Sequence, residues 1–131
     1  MKTLNLSFLA IVICVVIACQ WYTIVTIDAD LFERTLKQTP NPQLVDVRTH
    51  SEYAEGHLIE AILIDVKLPS FDSLICRLDK NRPVFVYCRV GRRSLEAANI
   101  LKKNDFKTIY NLDGGIVAWK EKGKAVKTGN E

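Results

Sequence analysis

From Ile24 onward, short apolar runs alternate with stretches of helical periodicity, and this alternation restricts the fold more tightly than any other feature of the chain. The runs from Ile24 to Ile27, Leu44 to Val47, Ala61 to Val66 and Val84 to Tyr87 read as strands, and Thr108 to Tyr110 begins a fifth. Between them, Asp28 or Asp30 is expected to cap a helix from Leu31 to Gln38, which stops before Pro40 and Pro42. Ser51 is expected to cap a short helix through Tyr53 and Ala54 that ends at Gly56. Pro69 and Ser70 open a helical stretch that carries Cys76, where a buried, inert thiol is expected. Leu95, Ala98 and Leu101 fall on one face of the next helix, and Gly114-Gly115 turns into a last one through Trp119. Strand two is apolar on both faces, as a buried parallel strand requires. The expected fold class is therefore α/β, with a five-stranded, mainly parallel sheet and helices on both faces.

The 131 residues suffice for one domain and hardly for two, and at 48% hydrophobic and 25% charged the composition is globular. A net charge of +3 with no recognition motif gives no reason to expect nucleic acid as a partner. A monomer is expected.

The N-terminus departs from this pattern. Lys2 is the only charge before Asp28, and Leu4 to Ala18 is almost unbroken apolar sequence, the length of a signal-peptide core. It ends in Val16-Ile17-Ala18-Cys19, which resembles a bacterial lipobox, with small Ala18 at the cut and Cys19 as the residue to be lipidated. Cys14 fails the same test because bulky Ile13 precedes it. The expected organisation is a signal peptide at 1–18, a tether at 19–23, the domain at 24–123 and a polar, fraying tail at 124–131. The domain is then exported and held on a membrane through Cys19, on the periplasmic side. An uncleaved anchor from Leu4 to Val25 or a plain secretory signal are the alternatives.

Of the four cysteines, Cys76 and Cys88 then remain for chemistry, and nothing in the spacing requires them to pair. Cys88 follows the fourth strand, in Tyr87-Cys88-Arg89-Val90-Gly91-Arg92-Arg93-Ser94, just before a helix. In open α/β sheets, ligands collect at the carboxyl ends of the strands. Arg92 and Arg93 in a first helical turn cost roughly a few tenths of a kcal/mol each against the helix dipole, which makes sense if an anion sits there. The arginines and the helix start are expected to stabilise a Cys88 thiolate, and Gly91 to let the backbone curl into a nest of N–H groups. Nucleophilic catalysis by Cys88 is the chemistry these residues suit. Asp46 and Arg48, at the end of strand two, are expected to form a buried ion pair, and His57 to make a structural hydrogen bond. No histidine or cysteine set has metal-ligand spacing, so no metal is expected.

Three motifs in order now carry a resemblance. "LVDVRTHSEYAEGHL", "PVFVYCRVGRRS" and "LDGGIVAWK" resemble the three motifs of single-domain rhodaneses, over roughly Ile24 to Gly123. The resemblance implies that Cys88 is the nucleophile, that it carries a persulfide, and that Arg89, Val90, Gly91, Arg92, Arg93 and Ser94 form the loop around it. Relatives acting on phosphate or arsenate have a loop one residue longer, whereas four residues separate Cys88 from Arg93 here. The implied activity moves a sulfane sulfur from thiosulfate or a similar anionic donor to cyanide or a thiol, and this chemistry needs no metal or organic cofactor. A sulfur relay with little turnover is the alternative, and a phosphatase or arsenate reductase fits the shorter loop less well. Glu60 departs from the family, which often has glycine before the residue at Ala61.

Overall fold

The computed structural model describes residues 21–130, so the apolar N-terminal segment and Cys19 lie outside the described residues. The chain runs β1 (Thr23–Ile27), α1 (Ala29–Gln38), β2 (Gln43–Asp46), α2 (His50–Glu55), β3 (His57–Leu58), β4 (Ile62–Leu63), α3 (Phe71–Ile75), β5 (Val84–Tyr87), α4 (Arg92–Lys103), β6 (Thr108–Leu112), α5 (Gly115–Glu121) and β7 (Val126–Lys127). Five strands form one parallel sheet in the order β1-β6-β5-β2-β4. The central strands β5 and β2 are buried along their whole length, which is why their sequences lack polar alternation.

Two cores fill the two faces. Phe71 and Ile75 of α3 and Ala97, Ala98 and Leu101 of α4 pack on Val45, Val84 and Val86. Phe32 of α1, Tyr53 of α2 and Ile116 and Trp119 of α5 pack on Leu44, Phe85 and Tyr87. The alternating side chains of β2 and β5 thus serve opposite layers, the layout that βαβ connections produce.

Local chemistry differs from expectation in several places. Asp28 caps α1, its side chain accepting from Leu31 N. The cap of α2 is Thr49, with Glu52 closing a reciprocal capping box, so Ser51 lies inside the helix. The run from Ala61 to Val66 yields only the two-residue β4, because Tyr53 and the turn at Ala61 take up its start, although Ile64 N still donates to Asp46 O at 2.9 Å and Val66 N to Val47 O at 3.1 Å. Glu60 adopts φ +66°, a left-handed conformation that glycine tolerates best. In α4 the buried stripe is Ser94, Ala97, Ala98 and Leu101, and Leu95 faces solvent. Cys76 is exposed, just past the end of five-residue α3, whose buried stripe is Phe71 and Ile75. Cys76 and Cys88 are both free thiols.

The C-terminal segment belongs to the fold. β7 pairs antiparallel with β3, placing Val126 opposite Leu58. The Trp119 indole donates to Ala125 O at 3.0 Å, and Lys124 pairs with Asp30 and Glu33 of α1. Polar composition suggested fraying, but the segment's hydrogen bonds go to a strand distant in sequence. Among the described residues, no helix is long and apolar enough to cross a membrane.

Candidate functional site

β5 ends at Tyr87, and the chain turns sharply at Cys88 into α4. Gly91 makes the turn possible with φ +103°, in the left-handed region, and serves as the helix cap. The result is a short arch of backbone closed over the sulfur. Gly91 N donates to Cys88 Sγ at 3.1 Å, and the Ser94 hydroxyl reaches the same atom at 3.4 Å. The arch is held from behind by the first turn of α5. Ile116 N donates to Cys88 O at 2.9 Å and Val117 N to Arg89 O at 3.2 Å. Gly115 permits this approach, since a methyl group there would collide with the carbonyls of Cys88 and Arg89.

Cys88 itself is only 1% exposed. Burial pushes its thiol pKa up, but the Ser94 hydroxyl and the N–H groups of Ser94, Gly91 and Val90 outweigh it and hold the pKa below the ordinary value. These donors converge on one sulfur atom, which is what an anionic sulfur requires. Ser94 has one hydroxyl proton and a second acceptor within reach, Gly91 O at 3.2 Å. Negative charge on Sγ directs that proton to the sulfur.

Arg93 does not take the expected place beside the sulfur. The Arg93 guanidinium forms a two-pronged ion pair with Glu52, Nη1 to Oε2 at 2.8 Å and Nη2 to Oε1 at 2.7 Å. It makes no hydrogen bond to the sulfur and instead ties α4 to α2. Arg93 lowers the Glu52 pKa to about 2, with help from the Thr49 amide and hydroxyl against a smaller opposing effect of burial. Arg89 and Arg92 are exposed. They line the mouth of an open pocket of about 520 Å³ together with Glu52, Lys67, Val90, Arg93 and Glu96, and Cys88 lies in its wall. Short-range hydrogen bonds therefore stabilise the sulfur, and the exposed cations present a positive entrance to anions.

Asp46, Arg48 and His57 do not line this pocket. Asp46 and Arg48 form a buried pair, Nη2 to Oδ2 at 2.7 Å, and the same Nη2 donates to Gly56 O at 2.6 Å. Burial works against the Arg48 charge, but Asp46 prevails and its pKa is raised. The Tyr87 hydroxyl donates to Asp46 Oδ2 at 2.6 Å and accepts from Leu58 N at 3.0 Å. Burial and the Asp46 charge push the Tyr87 pKa well up, so the phenol stays protonated as a donor. His57 Nδ1 lies 2.9 Å from Tyr53 O, and its ring stacks on Tyr53 with centroids 3.7 Å apart. This network joins β2, β3 and β5 beneath the loop.

Sequence reasoning missed the roles of Glu52, Tyr87, Lys67 and Gly115. Only Glu52 had a local signal, the Thr49-His50-Ser51-Glu52 capping-box pattern. The others act through contacts between segments far apart in the chain.

A family model described as a Rhodanese-like domain matches residues 28–122. A protein named sulfurtransferase from Allochromatium vinosum is 34% identical over 97 residues, covering 74% of this chain and 89% of that protein. The uncharacterised protein YqhL of Bacillus subtilis is 41% identical over 85 residues, 65% of this chain and 66% of its own length. A tRNA uridine(34) hydroxylase from Sodalis glossinidius is 31% identical, but the match spans only 26% of it. Among solved structures, a rhodanese-like domain protein from Staphylococcus aureus superposes with a TM-score of 0.69 at 27% identity, covering 81% of this chain and 99% of that one.

Proposed function

The chain belongs to the rhodanese-like domain family, and on that premise we propose that it is a sulfurtransferase whose sulfur carrier is Cys88. The observation that carries this reading is the convergence of the Gly91 amide and the Ser94 hydroxyl on a buried Sγ in the wall of a positively lined pocket. Thiosulfate is the simplest donor for such an entrance. The Cys88 thiolate attacks its outer sulfur, a new sulfur–sulfur bond forms on Cys88, and the bond to the sulfonate sulfur breaks, releasing sulfite with the electron pair. The persulfide anion then takes the place of the thiolate among the same donors. An acceptor thiolate or cyanide attacks the outer sulfur, and Cys88 leaves as thiolate. The charge count is unchanged at each step, so no redox cofactor enters. Val90, Gly91 and Ser94 stabilise the anion, Arg89 and Arg92 attract the donor, and Arg93 positions the loop through Glu52. Asp46, Arg48 and His57 support the strand ends from beneath.

Intact-mass measurement after incubation with thiosulfate tests this. A gain of one sulfur atom, absent in Cys88→Ser, is the expected result, and its absence in the unaltered protein sinks the reading. Sulfur loading with negligible turnover to cyanide, but rapid transfer to a protein thiol, would favour the relay form of the same chemistry. We propose further that Cys19 is lipidated and fixes the domain to a membrane. Mass analysis of protein extracted from membranes reads the lipid and the sulfur state together.

A further inference from the structure

The polar chemistry of this domain is divided between the two ends of its sheet. The Cys88 pocket opens at the carboxyl ends of the strands, while the chain enters from residues 1–20 at the opposite end, where β1 begins. At that entry end, Thr23 N bonds to Lys107 O and Lys107 N to Lys80 O, which places the start of β1 beside both lysines. Arg82 precedes β5 and donates to Asn41 O at 3.0 Å, and Lys102 and Lys103 lie in the last turn of α4, just before Phe106, whose ring faces Lys80 Nζ.

These five cations meet only two carboxylates nearby in the chain, Asp79 and Asp105, and none of the five forms a salt bridge among the described residues. Four of them are exposed and Lys107 is half-buried. Where the chain enters this face stands Trp21, 84% exposed, preceded in sequence by the apolar run from Leu4 to Ala18. Cations without a salt bridge, around an exposed indole at the foot of an apolar segment, match the interface of an anionic bilayer in both charge and polarity.

We propose that this end of the domain is a docking face for an anionic lipid surface, seated on the membrane by the N-terminal segment and oriented by Lys80, Arg82, Lys102, Lys103 and Lys107. It rests on the anchor reading above and adds an orientation to it. The strands, at about 3.3 Å per residue, then stand between bilayer and sulfur, so Cys88 opens away from the lipid, roughly 15 Å or more above it. The sulfur donor and acceptor reach it from the aqueous side.

Lysine footprinting on the full chain tests the face. The protein is reconstituted into phosphatidylcholine vesicles with or without phosphatidylglycerol, sedimented, acetylated briefly and mapped by mass spectrometry. On anionic vesicles, Lys80, Lys102, Lys103 and Lys107 should lose reactivity several-fold relative to zwitterionic vesicles, while Lys67 at the pocket mouth stays reactive. Lys80→Glu/Lys107→Glu should restore reactivity at Lys102 and Lys103. Sedimentation with anionic vesicles without protection of these lysines overturns the docking face and leaves the anchor standing. Failure to sediment with either vesicle overturns both. Protection of Lys67 in place of the four gives the opposite orientation and overturns the proposal as well.

Discussion

At the residue scale, the site is a problem in satisfying one buried sulfur. Burial alone would make Cys88 a worse thiolate than a free cysteine, and the hydrogen bonds reverse the balance. Ser94 supplies the only side-chain hydroxyl bonded to it among the described residues. Ser94→Ala should therefore raise the Cys88 pKa, moving the midpoint of the alkylation rate against pH upward and slowing sulfur loading at neutral pH. The alkylation profile with iodoacetamide reads this directly, and an unchanged midpoint would mean the backbone amides suffice. The sign for stability follows from the same shift. A depressed thiol pKa favours the folded state at pH above the unfolded value, and that contribution fades as pH falls through the folded pKa.

At the scale of elements, two contacts between segments distant in sequence hold the loop. Glu52 joins the cap of α2 to the first turn of α4 through Arg93. Its carboxyl has a folded pKa of about 2 against an ordinary 4.5, so its stabilising contribution is complete above 4.5 and is lost as pH falls towards 2. Glu52→Gln should lower the urea midpoint at neutral pH, and the gap from the unaltered protein should close across that acid window. A gap independent of pH would contradict the ion-pair account. The second contact is the approach of α5 to the loop carbonyls at Gly115. Gly115→Ala should destabilise the fold by roughly 1–3 kcal/mol, measured by chemical denaturation, and reduce sulfur loading while leaving Cys88 in the chain. Loading at the unaltered rate would show that the loop does not depend on this seat.

For the whole molecule, the surprise is the C-terminal segment. Its composition is that of a solvated tail, yet β7 closes over β3, and Ala125 O accepts from the Trp119 indole. Ending the chain after Lys124 removes that acceptor and the only partner strand of β3 among the described residues. The unfolding midpoint should fall, by roughly 1–3 kcal/mol of stability for the buried indole donor alone, and an unchanged midpoint would return the segment to the status of a tail. The proposed anchor and docking face belong to this scale too, because together they would set which way the pocket points.

The sequence by itself determined the parallel α/β layout and the position of Cys88 at a strand end. Apolar periodicity, Gly91 and the strand-to-helix junction are local properties, and local chain physics reads them directly. It also made the Asp46–Arg48 pair legible, since two residues on one strand end have few other partners. Only the tertiary structure decided which charge meets which. Arg93 turns to Glu52 rather than to the sulfur because α2 brings a carboxylate to it across 41 positions of sequence. The sulfur's hydrogen bonds come from short-range donors, whose directions depend on backbone conformation and not on composition, and Arg93 acts on it through charge alone. The same holds for β4, shortened by the turn at Ala61, and for β7, whose partner strand lies far back in the chain. Pairings between distant segments carry no local signature, and they determined how this site is held.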